Sequence, residues 1–302
     1  MATDNSSAKQ RILESVETHR VTSDVARYCV NGLEPRVGVS PNSVDDIVAV
    51  VQIASEESVG IVPFGGSTRI CLGNPPLSYG IALNMRDMNR IITHNSGDLT
   101  ATVEAGITLN ELSDELYKHG QFLALDAPLA SKATIGGTLA AGAIGPLKWQ
   151  FGSPRDLVVG MKVVQSPGKV VKSGGRVVKN VSGYDMARLH IGGLGSLGVI
   201  TEVSFKLNPL PQVQKTLVAT FEQFGNSISS ALEIANMEIM PLSMMSLDRT
   251  VNQTPGLDFS ASEGYLALRL GGRPRTLNRQ LAECIKICGN YEAIEFSELD
   301  EN

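Results

Sequence analysis

In this 302-residue chain the stretches able to do chemistry are short runs of glycine rather than clusters of acids, bases or metal ligands. In VPFGGSTR, residues 62–69, a strand ending at Pro63 leads into Gly65-Gly66-Ser67-Thr68. Glycine lets consecutive N–H groups point into one concavity, a nest for a phosphate, and the Ser67 and Thr68 hydroxyls add donors. Each hydrogen bond to a charged acceptor contributes about 1.5–3 kcal/mol, so several could hold a pyrophosphate without a lysine. The P-loop pattern is not met, because no Gly-Lys-Ser/Thr appears. Taken alone, the stretch reads equally well as an ordinary turn.

Four more tight-backbone stretches accompany it: ATIGG (133–137), FGSPRD (151–156), KNVSGYD (179–185) and GSLGVI (195–200). Five such bends suggest an elongated, dinucleotide-sized ligand lying against main chain between two α+β lobes. Gly193, Gly195 and Gly198 also spell G-x-G-x-x-G, but that fingerprint needs a strand before it and a helix after it. Here Met186, Leu189 and Ile191 suit a short helix, and the alternation of Val199, Thr201, Val203, Phe205 and Leu207 is that of a strand. The context is reversed, which argues against a Rossmann site for NAD. The glycines instead mark a close approach of backbone to something else.

The elements that must position these bends follow from periodicity. Residues 9–30 read as an amphipathic helix and 36–41 as a short strand. A second helix begins at Asn42 or Ser43, with Asp45 and Asp46 in its first turn and an apolar face of Ile47, Val50, Val51 and Ala54. Strands are expected in 60–64, 80–91 and 100–108, then a helix closed by Gly120. From 130 to 200 glycine is dense, and a hairpin turns at Pro167-Gly168. Pro209 and Pro211 mark a domain boundary, giving domains 1–211 and 212–302. The second reads β-α-β-β-α-β, the ferredoxin-like order, and the fold class is α+β throughout.

Composition narrows the function. A net charge of −5 and a pI near 5.5 argue against a nucleic-acid binder. No apolar run reaches the roughly 18 residues of a spanning helix, and the first residues show no secretory signal. Four cysteines do not make a disulfide framework at this length, so a reducing compartment is expected, and Cys284 and Cys288 read as core thiols rather than metal ligands. His19, His94, His119 and His190 read as surface or structural residues, and no metal site is expected.

The ordered motifs PFGGST, VEAGITLNEL, TIGGTLA, FGSPRDLVVG and KNVSGYDMARLHIGGLGSLGVITEVSFKLNPLP resemble the FAD-binding domain of the vanillyl-alcohol oxidase and p-cresol methylhydroxylase superfamily. Within it they look most like the E subunit of bacterial glycolate oxidase (glycolate dehydrogenase). The resemblance covers roughly residues 35–211. It implies a two-lobed FAD-binding domain followed by a small cap. Pro63, Gly65, Gly66, Ser67 and Thr68 would surround the FAD pyrophosphate, and Thr134, Ile135, Gly136 and Gly137 would pass close to pyrophosphate and flavin. Gly152, Ser153 and Asp156 would line the pyrophosphate and ribose side, and Gly198, Val199 and Ile200 would hold the adenine end.

Lys179 and Tyr184 would lie near the isoalloxazine, where a positive charge stabilises the reduced flavin; each also reads as a loop or packing residue. No histidine stands at Gly65–Arg69, so FAD would be non-covalent, and the cap lacks the His-rich segment of the catalytic subunits. The chain reaches Asn302 just after one β-α-β-β-α-β unit, where the family usually continues, so a short or truncated cap is expected. The implied function is electron relay beside a catalytic flavoprotein subunit and an iron–sulfur subunit. The substrate would be a small 2-hydroxy acid and the setting cytoplasmic, touching the inner membrane only through the complex. Alternatives are a self-sufficient oxidase, with Arg155 or Lys179 holding the carboxylate, and a flavin-binding scaffold without turnover.

Overall fold

The computed structural model describes residues 6–175, 185–253 and 262–300. Two compact units emerge, one of residues 1–145 with 153–209, the other of 146–152 with 210–302. Residues 146–152, which the sequence reading carries in the first domain, therefore group with the second.

In the first unit, α1 (Ser6–Ser15) is shorter than the helix expected over 9–30. Thr18, Val21, Thr22, Ser23 and Asp24 are all poor helix formers, and the chain turns instead into β1 (Val21–Thr22). β1 pairs antiparallel with β2 (Val37–Val39). α2 (Val44–Glu56) starts where expected, the Ser43 hydroxyl accepting the Asp46 N–H at 3.1 Å. β3 (Ile61–Phe64) and β2 both run parallel to β4 (Ile81–Asn84), giving the order β1-β2-β4-β3. Ile12, Ile47, Val50, Val39, Ile81 and Leu83 form the buried seam between this sheet and its helices.

The second lobe of this unit begins with β5 (Ile91–Asn95), β6 (Thr100–Glu104) and α3 (Leu109–Tyr117). β7 (Gln121–Phe122), α4 (Ile135–Ala140) and α6 (Pro154–Leu157) follow, and α5 (Lys148–Phe151), between the last two in sequence, belongs to the second unit. β8 (Val158–Gln165) and β9 (Lys169–Gly174) make the expected hairpin, with Gly168 at φ +101° in its turn. α7 (Ala187–His190) then precedes β10 (Val199–Lys206) and β11 (Asn208–Pro209). The main sheet is antiparallel in the order β5-β6-β10-β8-β9, and β11 pairs with β7. The segment TIGGTLA, read only as tight backbone, is thus largely α4.

The second unit contains β12 (Val213–Phe221), α8 (Phe224–Ala235), β13 (Ser243–Asp248), β14 (Gly264–Gly272), α9 (Pro274–Asn290) and β15 (Ala293–Asp300). Its antiparallel sheet has the order β13-β14-β12-β15, the ferredoxin-like arrangement. α8 and α9 cover one face, and α5 packs beside β13. Cys284 and Cys288 sit fully buried in this core, and burial pushes their thiols up to about 12 and about 11. Among the described residues no helix is long and apolar enough to cross a membrane.

Candidate functional site

Three adjoining cavities run between the two lobes of the first unit, and Pro63 borders all of them. Their walls are assembled from the ends of β3 and β10, the exposed side of α4 and the loops that follow β3 and precede β10. The alignment begins with a capping box: the Thr108 hydroxyl accepts the Glu111 N–H while the Glu111 carboxylate accepts the Thr108 N–H, which fixes the start of α3. The segment just before it is tied to the start of α4. Leu109 donates to the Ala133 carbonyl at 3.0 Å, Ile135 to Ile107 at 2.9 Å and Gly136 to Ala105 at 2.8 Å. Thr134 then caps α4 by accepting the Gly137 N–H.

Against this platform lies the loop after β3. Phe64 anchors it, packed edge-on against Tyr28 with ring centroids 5.0 Å apart. A Cβ at Gly66 would overlap the Lys132 carbonyl oxygen, and one at Gly65 would overlap the Thr134 hydroxyl. The two glycines are therefore demanded by loop-on-loop packing, a tighter requirement than the ligand clearance inferred from sequence. Ser67 is held at φ +56°, and the N–H groups of Gly66, Ser67 and Thr68 make no hydrogen bond within the described residues. These three donors, unpaired among the described residues, sit in a loop on the cavity wall, where the sequence suggests a phosphate nest. On the opposite side, Gly198 at φ +149° brings the start of β10 against β8; a Cβ there would stand 2.7 Å from Val163 Cγ1 and 2.9 Å from the Val164 carbonyl oxygen.

Of the residues singled out in the sequence, Pro63, Gly65, Gly66, Ser67, Thr68, Thr134, Gly136, Gly137, Gly198, Val199 and Ile200 border these cavities. Ile135 does not, because its side chain is fully buried under α4. Ser153 and Asp156 are also elsewhere: they form a capping box on α6, Asp156 accepting the Ser153 N–H at 2.8 Å and its hydroxyl at 2.7 Å. Those bonds hold the Asp156 carboxyl below its ordinary value. Gly152, at φ +85°, ends α5 and belongs to the second unit. Lys179 and Tyr184 lie outside the described residues.

The walls also include Phe64, Met85, Ala105, Ala140 and Leu194, and on the α2 side Val51, Ala54 and Ser55. Ala105 and Leu194 fall inside motifs legible in the sequence; the α2 residues carry no signal beyond an apolar helix face. Arg69 is the one ionisable side chain lining the three cavities among the described residues. His190 is buried on α7, and burial lowers its pKa. His94 packs edge-on against His119 with Nε2 2.8 Å from Gln121 Oε1. The arrangement can bind an uncharged ring system and an anionic linker, and among the described lining residues there is no carboxylate or imidazole to move a proton.

Residues 35–174 match the family described as FAD binding domain. They belong to it. The cofactor of such a domain is FAD, and the residues present fit it: main-chain donors unpaired among the described residues, two hydroxyls and Arg69 line one cavity, and largely apolar residues line the one beside it. The chain is 31% identical over 266 residues to glycolate oxidase subunit GlcD of Bacillus subtilis (strain 168), covering 86% of this chain and 56% of that protein. It is 35% identical over 213 residues to the mitochondrial D-lactate dehydrogenase [cytochrome] of Arabidopsis thaliana, covering 68% and 37%. The chain thus spans roughly half or less of these relatives. In fold it is similar to an alkyldihydroxyacetonephosphate synthase, with a TM-score of 0.83 at 20% identity over 98% of this chain and 61% of that one. It is also similar to p-cresol methylhydroxylase, with a TM-score of 0.80 at 18% identity over 99% and 66%.

Proposed function

We propose that this chain is the FAD-binding subunit of a glycolate oxidase-like complex that oxidises a small 2-hydroxy acid, relaying electrons between a catalytic flavoprotein subunit and an iron–sulfur subunit. The carrying observation is the groove itself: main-chain donors and apolar walls that suit a dinucleotide, with no acid or imidazole among the described lining residues to act as a base. Relay needs a cofactor and no base; alcohol oxidation needs both. When bound, FAD supplies a two-electron acceptor.

In this reading Gly66, Ser67 and Thr68 hold the diphosphate by their N–H groups and hydroxyls, with Arg69 adding charge. Pro63, Gly65, Thr134, Gly136 and Gly137 shape the middle of the groove, and Gly198, Val199 and Ile200 hold the adenine end through main chain. Gly65–Arg69 contains no histidine, so attachment is non-covalent. The name of the Bacillus relative, an oxidase subunit, supports the complex. A second reading, a self-sufficient 2-hydroxy-acid dehydrogenase, is favoured by the relatives named D-lactate dehydrogenase.

One experiment separates them. Purified chain should be yellow and release FAD quantitatively on acid denaturation. Anaerobic glycolate or D-lactate should leave its absorbance near 450 nm unchanged until a catalytic partner is added. Bleaching by substrate alone would establish the second reading, and a colourless chain that stays so after incubation with FAD would end both. A flavin that exchanges no electrons with partners would instead mark a non-catalytic scaffold.

A further inference from the structure

The loop GGLGSLG, residues 192–198, crosses into left-handed backbone repeatedly. Gly192 stands at φ +79°, Gly195 at +74° and Gly198 at +149°, each satisfied by the residue that adopts such torsions freely. Leu194 stands at φ +52° in the same loop, where a γ-branched L-residue is strained. Its backbone is locked there, the N–H donating to the Ala140 carbonyl at 2.8 Å. Its side chain is not tucked into the core. It is 48% exposed, borders two of the three cavities, and leans over Gly73, where a Cβ would come within 2.7 Å of Leu194 Cδ1. Ser67, also at positive φ, borders one of the same cavities. Leu99 and Leu129 share the torsion but border none of them.

A loop that places glycine at three left-handed positions and leucine at the fourth keeps that side chain in spite of its torsion. We propose that Leu194 is a strained contact residue, presenting its isobutyl group to an uncharged aromatic ring of the bound dinucleotide. This rests on the FAD reading above. A half-exposed leucine in a groove gains by being covered, and a flat ring covers it more completely than a phosphate or ribose does.

The test uses the 302-residue chain stripped of flavin, wild type beside Leu194→Gly and Leu194→Asn, both of which accept left-handed backbone. Thermal midpoints of the stripped forms and dissociation constants for FAD, FMN and ADP are measured for each. Both variants should melt at or above the wild-type midpoint while binding FAD about tenfold more weakly. A matching loss for ADP places the contact on the purine, and a matching loss for FMN places it on the flavin ring. FAD affinity within twofold of wild type in both variants overturns the proposal. So do stripped forms that melt lower in both or fail to fold, since Leu194 would then be a packing residue. Failure of the wild type itself to bind any of the three compounds would overturn the FAD reading instead, a result that the variants do not enter.

Discussion

Around Gly65 and Gly66 the glycines are required by what lies beyond their Cβ positions, whereas at Gly192 and Gly195 they are required by the torsion of their own backbone. In the loop after β3, any side chain meets the Lys132 carbonyl or the Thr134 hydroxyl. In the loop before β10, Gly195 has nothing nearer than Pro63 Cγ at 3.7 Å, yet its φ of +74° is one that few residues adopt without strain. Identical residues on two walls of one groove thus answer to different physics, one to excluded volume and the other to local conformation. The difference teaches that a glycine's tolerance follows from which of these applies, not from its closeness to the ligand.

The comparison breaks most sharply at Gly66. Gly66→Val should destabilise the first unit by at least about 3 kcal/mol and abolish flavin retention, because a carbonyl in a hydrogen-bonded platform has nowhere to go. Denaturant melts and the flavin-to-protein absorbance ratio would show it; full occupancy would refute the packing account. Gly136→Ala should come next. Alanine favours the helix by about 1 kcal/mol, but its methyl would stand 2.8 Å from the Ala105 Cβ, an atom with no rotamer to retreat into. A net loss of about 1–2 kcal/mol in the same melt is expected.

Gly195→Asn sharpens the other side. With open space and a residue tolerant of left-handed backbone, the change should cost under about 1 kcal/mol, whereas Gly195→Val should cost about 2 kcal/mol or more. Equal losses for the two would show that space, not torsion, governs that wall. The smallest effect belongs to Asp156, which caps α6 away from the groove. Asp156→Asn should cost about 0.5–1 kcal/mol at neutral pH and leave FAD affinity unchanged. Its folded carboxyl lies below its ordinary value, so the wild-type advantage is complete above that ordinary value. The advantage should fade as pH falls through the lowered one, and urea melts of both proteins from pH 7 down to pH 3 would trace it.

Much of this architecture is legible in the residues. Ser43 with Asp45 and Asp46 starts α2, Pro167-Gly168 turns the β8–β9 hairpin, and the β-α-β-β-α-β order of the second unit follows from alternating periodicities. The reversed context of Gly193-x-Gly195-x-x-Gly198, strand after rather than before, is equally plain. Other features depend on contacts that no local pattern encodes. Ser153 and Asp156 have the chemistry of ligand contacts, but their nearest partners are each other. Ile135 follows a cap residue and so turns inward with the buried side of α4. Leu194 escapes notice because a strained torsion is invisible in a one-letter code, and residues 146–152 because a four-residue helix carries too few apolar positions to declare which core it joins.

The thiols offer a consequence of their own. Cys29 and Cys71 are exposed in the first unit, while Cys284 and Cys288 are fully enclosed in the second and resist ionisation. An alkylating reagent should consume two equivalents at once and the other two only as fast as the second unit opens, which makes the unmodified chain its own stopwatch for that unit's breathing.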